Sequence, residues 1–558
     1  MIIRKRNLIL TGITLISLLG TGWLLNIHGV QAVGKQNYDL KLLEQIIERI
    51  KAQYVDDLNE EDAIDAAIRG MLGTLDPYTE FLEKKQNDEM KMMQIQGKYG
   101  GLGIKITKQD NALVVVALFD GTPAYEVGLQ TGDRIVGIED QTTANIDVAQ
   151  AADLLRGKPG TSVTISVSRD GEQDTIDYTL TRAIITIPVV PYVGMLEGGI
   201  GYIKLNQFTE DASHKVEQAL IKLGDQGAKG YIFDLRGNPG GLLEQAVGIA
   251  GKFLPKGNLV VYTMGRTGTN KRPYHVPDGF TLKNAPLVIL VDRFSASASE
   301  IVAGAIQDWD RGVVVGQSTF GKASVQQIFP MNNGVALKMT TARYYTPSGR
   351  LIQKLIDIDN SIKNPSPEEM VQPKGDKYKT NIGRTVYGGG GINPDIEIKP
   401  NKYPNFIRAL NNQSFFIKYA SHYLSKEYNE DQSTFVVTEE ILQDFLGFVE
   451  AHSFKYTSAA IQALDELEEI VEEQSANTTA MESIAGLRIQ LNRDQKRAYL
   501  RNKELLVAHI GSEISAKLWG PTGRYAFAVK HDSQIIESLK IIKDSQKYQS
   551  LLKNNQDQ

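Results

Sequence analysis

One pattern, occurring twice, constrains this chain most. Gly230–Leu235 and Leu287–Val291 are short apolar runs, and each ends in a turn of small residues that leads into a helical stretch. Similar runs lie at Gly201–Leu205 and Val313–Val315, with helical patterns at His214–Leu223, Leu242–Phe253 and Ala298–Gln307. Strands that alternate with helices predict a parallel or mixed sheet covered by helices, here from Ile184 to Pro400. The first turn reads Arg236-Gly237-Asn238-Pro239-Gly240-Gly241. Glycines there expose backbone N–H groups, and the helix that follows adds the positive end of its dipole. Such a turn can hold a phosphate or form an oxyanion hole. The G-x-x-x-x-G-K-[ST] spacing of a nucleotide loop is missing, which weakens the phosphate reading.

The second turn reads Phe294-Ser295-Ala296-Ser297-Ala298-Ser299-Glu300, where one of three serines can be a nucleophile and the others helix caps. A third segment, Phe320-Gly321-Lys322-Ala323-Ser324-Val325-Gln326, places a lysine among small and apolar neighbours. Composition narrows the chemistry. The chain has no cysteine, which excludes disulfides, thiol nucleophiles and thiolate metal sites. Its 7 histidines include no H-x-x-x-H pair, so no local zinc motif is present and no metal or cofactor is expected. A net charge of −5 argues against a nucleic-acid partner.

The remaining regions differ in texture. Arg4, Lys5 and Arg6 precede an apolar run from Leu8 to Leu25, followed by Val30-Gln31-Ala32. This is the layout of an export signal, or of an uncleaved anchor to the inner membrane. Tyr38 to Met90 has helical spacing, with Leu42, Leu43, Ile46, Ile47, Ile50 and Tyr54 three or four residues apart. From Asn401 onward the chain is polar and helical, and its apolar stripes read as self-packing or a homodimer surface.

Residues 96–182 form a β-rich module with strand patterns at Leu102–Thr107, Ala112–Ala117, Arg134–Ile138 and Ser162–Ser168. Tyr99-Gly100-Gly101-Leu102-Gly103-Ile104 resembles the carboxylate-binding loop of a PDZ domain. Gly121-Thr122-Pro123-Ala124 with Gly128–Ile135 resembles its central signature. The resemblance implies that Gly101, Leu102 and Gly103 receive a C-terminal carboxylate. A peptide would add as a strand beside Ile104, near an apolar pocket formed around Leu102 and Ile104.

Taken together, the three core segments resemble the C-terminal processing peptidases, or tail-specific proteases, of the S41 serine-peptidase family. The likeness runs from Leu75-Asp76-Pro77-Tyr78 to Gly388–Asp395. It implies a multidomain α/β protein: an export segment (1–32), N-terminal helices (33–95), the PDZ module (96–182), a mixed α/β peptidase core of crotonase/ClpP-like kind (183–400) and a helical C-terminal extension (401–558). By the same resemblance Ser297 is the nucleophile, Lys322 the general base 25 residues later, and Gln326 the third partner. Lys322 and Gln326 would share a face if that segment were helical. Oxyanion donors would be the N–H of Ala298 and one of the Gly240-Gly241 pair. Burial would favour the neutral lysine needed to take the serine proton.

The expectation is an exported endopeptidase, periplasmic or membrane-anchored, acting on proteins with unstructured C-terminal tails. An inactive PDZ scaffold of the same fold is the alternative, and an acyl-CoA enzyme of the crotonase fold a third. His214 and His275 would supply a base only in a Ser-His-Asp arrangement.

Overall fold

The computed structural model describes residues 40–553, except 58, 110–111, 120, 170–171, 173, 281, 283, 355–374, 400–402, 426–430, 453, 455 and 474–477. The expected N-terminal export segment lies outside the described residues. Among these, no helix is long and apolar enough to cross a membrane.

The described residues up to Phe81, 40–81, belong to one unit. Its helices are Leu40–Gln53 and Glu60–Leu72. Asn59 caps the second, accepting from the Glu61 N–H at 3.1 Å, and three acidic residues fill the first turn near the positive dipole end. Leu40, Leu43, Ile46 and Ile50 on the first helix are exposed.

Residues from Leu82 onward form the second unit. The β-rich module is an antiparallel sheet of Ile104–Gln109, Ala112–Leu118, Arg134–Ile138, Ser162–Ser168 and Ile176–Thr181, in that order, with Gln141–Thr142 beside the third strand. Alternate residues of these strands (Leu113, Val115, Val163, Ile165, Val167) face one core, closed by Ala151 and Leu155 of the helix Val148–Leu155. Lys98–Gly101 pairs with Ala183–Thr186 where the chain enters and leaves the module.

The second region is built on a six-stranded sheet in the order Tyr192–Leu196, Ile200–Lys204, Gly230–Asp234, Leu287–Val291, Val313–Gly316, Ile396–Glu397. Its first pair is antiparallel and the rest parallel, as the strand–helix alternation predicts. The register sorts side chains by face. Ile203, Phe233, Ile289 and Val314 form one row, packed with the helices Ala212–Asp225, Leu243–Ala250 and Ala298–Asp308. Tyr202, Ile232, Val288 and Val313 form the opposite row. A separate antiparallel sheet joins Lys271–His275, Leu259–Gly265, Ala336–Tyr345 and Ser324–Pro330.

The opposite row is covered by the end of the chain. Helices Ser533–Lys543 and Ser545–Leu552 bring Ile535, Ile541, Ile542 and Tyr548 onto it. Full burial of each aliphatic side chain contributes about 1.5–3 kcal/mol. The Tyr548 hydroxyl also meets the N–H and C=O of Leu287, at 2.9 and 3.2 Å. The C-terminal region is therefore not only self-packing: its last two helices complete the core of the α/β region. The intervening helices, among them Phe415–Leu424, Glu439–Ala451 and Lys503–His531, do pack on one another around Phe416, Tyr419, Phe445 and Ile510. The long Lys503–His531 helix breaks at Trp519 and Gly520, just before Pro521. It reaches the β-rich module, where Lys517 Nζ donates to Thr131 O at 3.3 Å.

Candidate active site

Two strand ends and one loop converge on Ser297. The strand Leu287–Val291 ends in a turn, and the helix Ala298–Asp308 begins directly after Ser297. Ser297 has φ 53° and ψ −114°, a left-handed conformation that costs a non-glycine residue about 1–3 kcal/mol. Of the three serines in the turn, Ser295 and Ser299 are fully buried. Their hydroxyls donate to the backbone of the neighbouring glycine turn, at Leu235 O (2.9 Å) and Asn238 O (3.0 Å). Ser297 is only partly buried. Three serines of equal chemistry in the sequence are thus separated by position: two tie loops together and one faces outward.

The glycine turn lies against Ser297. A Cβ on Gly240 would sit 2.7 Å from Ala296 O and 2.9 Å from Ser297 Cβ, and its φ is +100°, so only glycine fits. The Gly240 N–H donates to Asn238 Oδ1 at 2.9 Å. Asn238 is fully buried, and its Nδ2 donates to Leu205 O at 3.1 Å. Among the described residues, the N–H groups of Gly241 and Ala298 make no hydrogen bond. Upstream, Asp234 and Arg236 anchor the turn. Burial alone would raise the Asp234 carboxyl, but the Arg236 and Lys204 charges outweigh it and hold it well below the usual carboxylate range. Arg236 reaches on to Asp532 Oδ2 and Gln534 Oε1, each at 2.8 Å, joining the turn to the C-terminal helix.

Lys322 lies in the loop between the Val313–Gly316 and Ser324–Pro330 strands. Its amide and that of Ser297 donate to the same oxygen, Glu300 Oε2, at 2.9 and 2.8 Å. The two amide nitrogens are therefore no more than about 5.7 Å apart. The other carboxylate oxygen, Oε1, accepts from Thr319 Oγ1 at 2.6 Å and Gly321 N at 2.7 Å. Burial pushes the Glu300 carboxyl up to about 7, against the lowering effect of these four bonds. The Tyr344 hydroxyl lies 2.6 Å from Lys322 O and 3.1 Å from Ser297 O.

Gln326 is placed differently from the helical expectation. Ser324–Pro330 is a strand paired with Ala336–Tyr345, so no helical face joins Lys322 to Gln326. β-Branched and aromatic residues and pairing along one long partner strand decide this segment. Gln326 Nε2 donates to Ser324 Oγ at 2.8 Å and Thr340 Oγ1 at 3.3 Å. His214 and His275 are exposed, and the ring of His275 meets Gly257 O at 3.0 Å rather than Ser297. Glu300, Asn238 and Tyr344 were not assigned from the sequence. For Glu300 a signal existed: Ser297-x-x-Glu300 has the spacing of a capping box.

In the β-rich module, Gly101 pairs with Ala183. The carbonyls of Leu102 and Gly103 accept from Ala124 N (3.1 Å) and Phe119 N (2.9 Å). The N–H groups of Leu102 and Gly103 make no hydrogen bond among the described residues. The Leu102 side chain is 2% exposed, inside the module's core, so it underlies the loop and does not line an open pocket; Ile104 is half-buried. A Cβ on Gly103 would lie 2.3 Å from Thr122.

Four family models match the chain: Peptidase family S41 over residues 199–364, PDZ domain over 100–180, Probable PDZ-protease, C-terminal helical domain over 406–542, and Activating protease CtpB N-terminal domain over 26–86. A carboxy-terminal-processing protease of Bartonella bacilliformis is 39% identical over 329 residues, covering 58% of this chain and 75% of its own. A carboxyl-terminal-processing protease of Synechocystis is 38% identical over 322 residues, covering 56% and 74%. The carboxy-terminal processing protease CtpB of Bacillus subtilis is 32% identical over 340 residues, covering 60% and 70%.

Proposed function

The chain belongs to peptidase family S41 and is a serine-type, carboxy-terminal processing peptidase with a PDZ domain; from that premise we propose that Ser297 and Lys322 are its catalytic dyad. One observation carries the reading. Ser297 is the outward serine of the three, and its amide shares a single carboxylate oxygen with that of Lys322. A serine hydroxyl is a weak nucleophile without a base, and a lysine acts as a base only when neutral. Neutral Lys322 takes the Ser297 proton as the oxygen attacks the scissile carbonyl. The tetrahedral oxyanion is received by the N–H groups of Ala298 and Gly241, because that of Gly240 is engaged by Asn238. Each such donor is worth about 2.7–4 kcal/mol. The ammonium then protonates the leaving amine, and water hydrolyses the acyl-enzyme by the same route. Gln326, its Nε2 fixed by Ser324 and Thr340, offers its carbonyl oxygen to the lysine amine.

Substrates are proteins with free, unstructured C-terminal tails. The terminal carboxylate is received by the N–H groups of Leu102 and Gly103, while the tail adds as a strand beside Ile104. Ligand binding shifts the PDZ domain between a blocking and a permissive position. The basic flank and apolar run of residues 1–32 support an exported enzyme, periplasmic or membrane-anchored. The amphipathic Leu40–Gln53 helix, with its apolar residues exposed, supports a homodimer. The test compares one tail peptide with a free and an amidated C-terminus, on wild type and Ser297→Ala. Cleavage should require Ser297 and should slow on amidation. Turnover by Ser297→Ala would refute the nucleophile, and equal rates for the two peptides would refute carboxylate recognition.

A further inference from the structure

We propose that Tyr344 is a positioning residue which, together with Glu300, brackets the dyad by its backbone; the proposal rests on the Ser297–Lys322 reading above. Tyr344 stands near the end of the strand Ala336–Tyr345 and is 1% exposed. Its own N–H donates to Ala323 O at 2.9 Å, which pins it beside the Lys322 loop. Its hydroxyl then reaches the carbonyls of both dyad residues, at 2.6 Å for Lys322 and 3.1 Å for Ser297. Glu300, from the helix Ala298–Asp308, receives the amides of the same two residues at 2.9 and 2.8 Å. Two buried side chains, one from a helix and one from a strand, therefore hold Ser297 and Lys322 at both their N–H and their C=O groups.

This arrangement answers a need set by the local geometry. Ser297 sits in a left-handed conformation, which persists only where the surroundings over-determine it. A base on a loop, 25 residues away in sequence, must also stay within reach of the serine hydroxyl. Tyr344 suits the task because its hydroxyl stays protonated: burial, and then the neighbouring Glu300 charge, keep it well above the ordinary tyrosine range. The two ends of the bracket are not equal. Ser297 O also accepts from Glu300 N (2.8 Å) and Ile301 N (3.0 Å). The hydroxyl has one proton and lies closer to Lys322 O (2.6 Å) than to Ser297 O (3.1 Å), so its loss falls mainly on the Lys322 side.

The experiment is steady-state cleavage of a fluorogenic peptide by full-length wild type, Tyr344→Phe, Tyr345→Phe and Ser297→Ala across pH 6–10. Tyr345→Phe changes the neighbouring residue, which stacks on Tyr262. The expected result for Tyr344→Phe is a kcat lower by about tenfold or more with KM within about twofold, since positioning acts on the reacting geometry and not on substrate binding. The rising limb of its pH–kcat profile should also move to higher pH, because a lysine less firmly held in its apolar setting is better hydrated. Tyr345→Phe should match wild type. A Tyr344→Phe enzyme with wild-type kcat and an unmoved limb overturns the proposal. If Tyr344→Phe does not fold, Glu300→Gln tests the opposite arm, and an unchanged kcat there also overturns it. Ser297→Ala separates the two readings: activity in that variant removes the dyad itself, whereas an inactive Ser297→Ala beside a fully active Tyr344→Phe removes only the bracket.

Discussion

Two loops of this molecule carry backbone N–H groups that make no hydrogen bond among the described residues, and they are built from different materials. The Leu102–Gly103 loop of the PDZ domain is held by main-chain bonds from Ala124 and Phe119 and by the Leu102 side chain sunk in an apolar core. The Gly240-Gly241 turn, with Ala298, is held by buried polar side chains: Asn238, Ser295, Ser299 and Glu300. In the proposed mechanism the first loop only has to receive a carboxylate, and apolar packing suffices for that. In the same proposal the second must keep a strained serine, a lysine and two donors in mutual register. Apolar contacts are non-directional. Hydrogen bonds to buried groups fix direction, and each leaves an unsatisfied partner worth about 1–3 kcal/mol when broken.

This contrast can be broken at either end. The largest effect is expected from Ser297→Ala, which should abolish peptide cleavage while leaving the affinity for a C-terminal tail, measured by fluorescence anisotropy, at the wild-type value. Next, Gly240→Ala drives a Cβ to within 3 Å of Ala296 O, Ala298 N and Ser297 Cβ at a φ of +100°. We expect kcat to fall about 100- to 1000-fold, the scale of losing one oxyanion donor, again with unchanged tail affinity.

Glu300→Gln addresses the cost of using a buried charge as the fastener. The Glu300 carboxyl rises from 4.5 to about 7 in the folded protein, so the folded state favours its protonated form. Its contribution to stability is then full below pH 4.5 and lost as the pH rises through about 7. At about 1.36 kcal/mol per unit of pKa, wild type should gain about 3 kcal/mol relative to Glu300→Gln between pH 8 and pH 4.5, read by urea denaturation of both proteins. A difference independent of pH would contradict it.

The smallest effect is expected at the apolar loop. Gly103→Ala meets Thr122 at 2.3 Å with φ +80°. Tail affinity should fall about tenfold, equivalent to about 1.4 kcal/mol, while a short peptide that does not engage the PDZ domain is cleaved at the wild-type rate.

The sequence carried much of this and lost the rest for identifiable reasons. The apolar runs located Leu287–Val291 to the residue, and Gly230–Asp234 and Ile200–Lys204 within one residue at each end. A buried parallel strand is a continuous local signal, which is why these were legible. The strand-to-helix turn that carries Ser297 was legible through its run of small residues. The secondary structure at Gln326 stayed open because a spacing of four residues is compatible with a helix, whereas cross-strand pairing with Thr340 has no local signature. The covering of the sheet by Ile535, Ile541 and Ile542 was hidden for a related reason. An amphipathic helix announces that it has a partner but not which one, and Arg236 finds Asp532 across 296 residues. Tyr344, one of two adjacent tyrosines in a strand of ten residues, carries no sequence mark of its hydroxyl's position.

The central claim is that Ser297 is a nucleophile activated by Lys322. The most direct measurement is peptide mass spectrometry of the full-length protein after brief exposure to a fluorophosphonate, at neutral pH, for wild type and Lys322→Ala. The account predicts a single phosphonylated residue, Ser297, in wild type and labelling slowed by at least about a hundredfold in Lys322→Ala, the scale of losing a positioned general base. A label on Ser295, Ser299 or elsewhere, or labelling of Lys322→Ala at the wild-type rate, would contradict it.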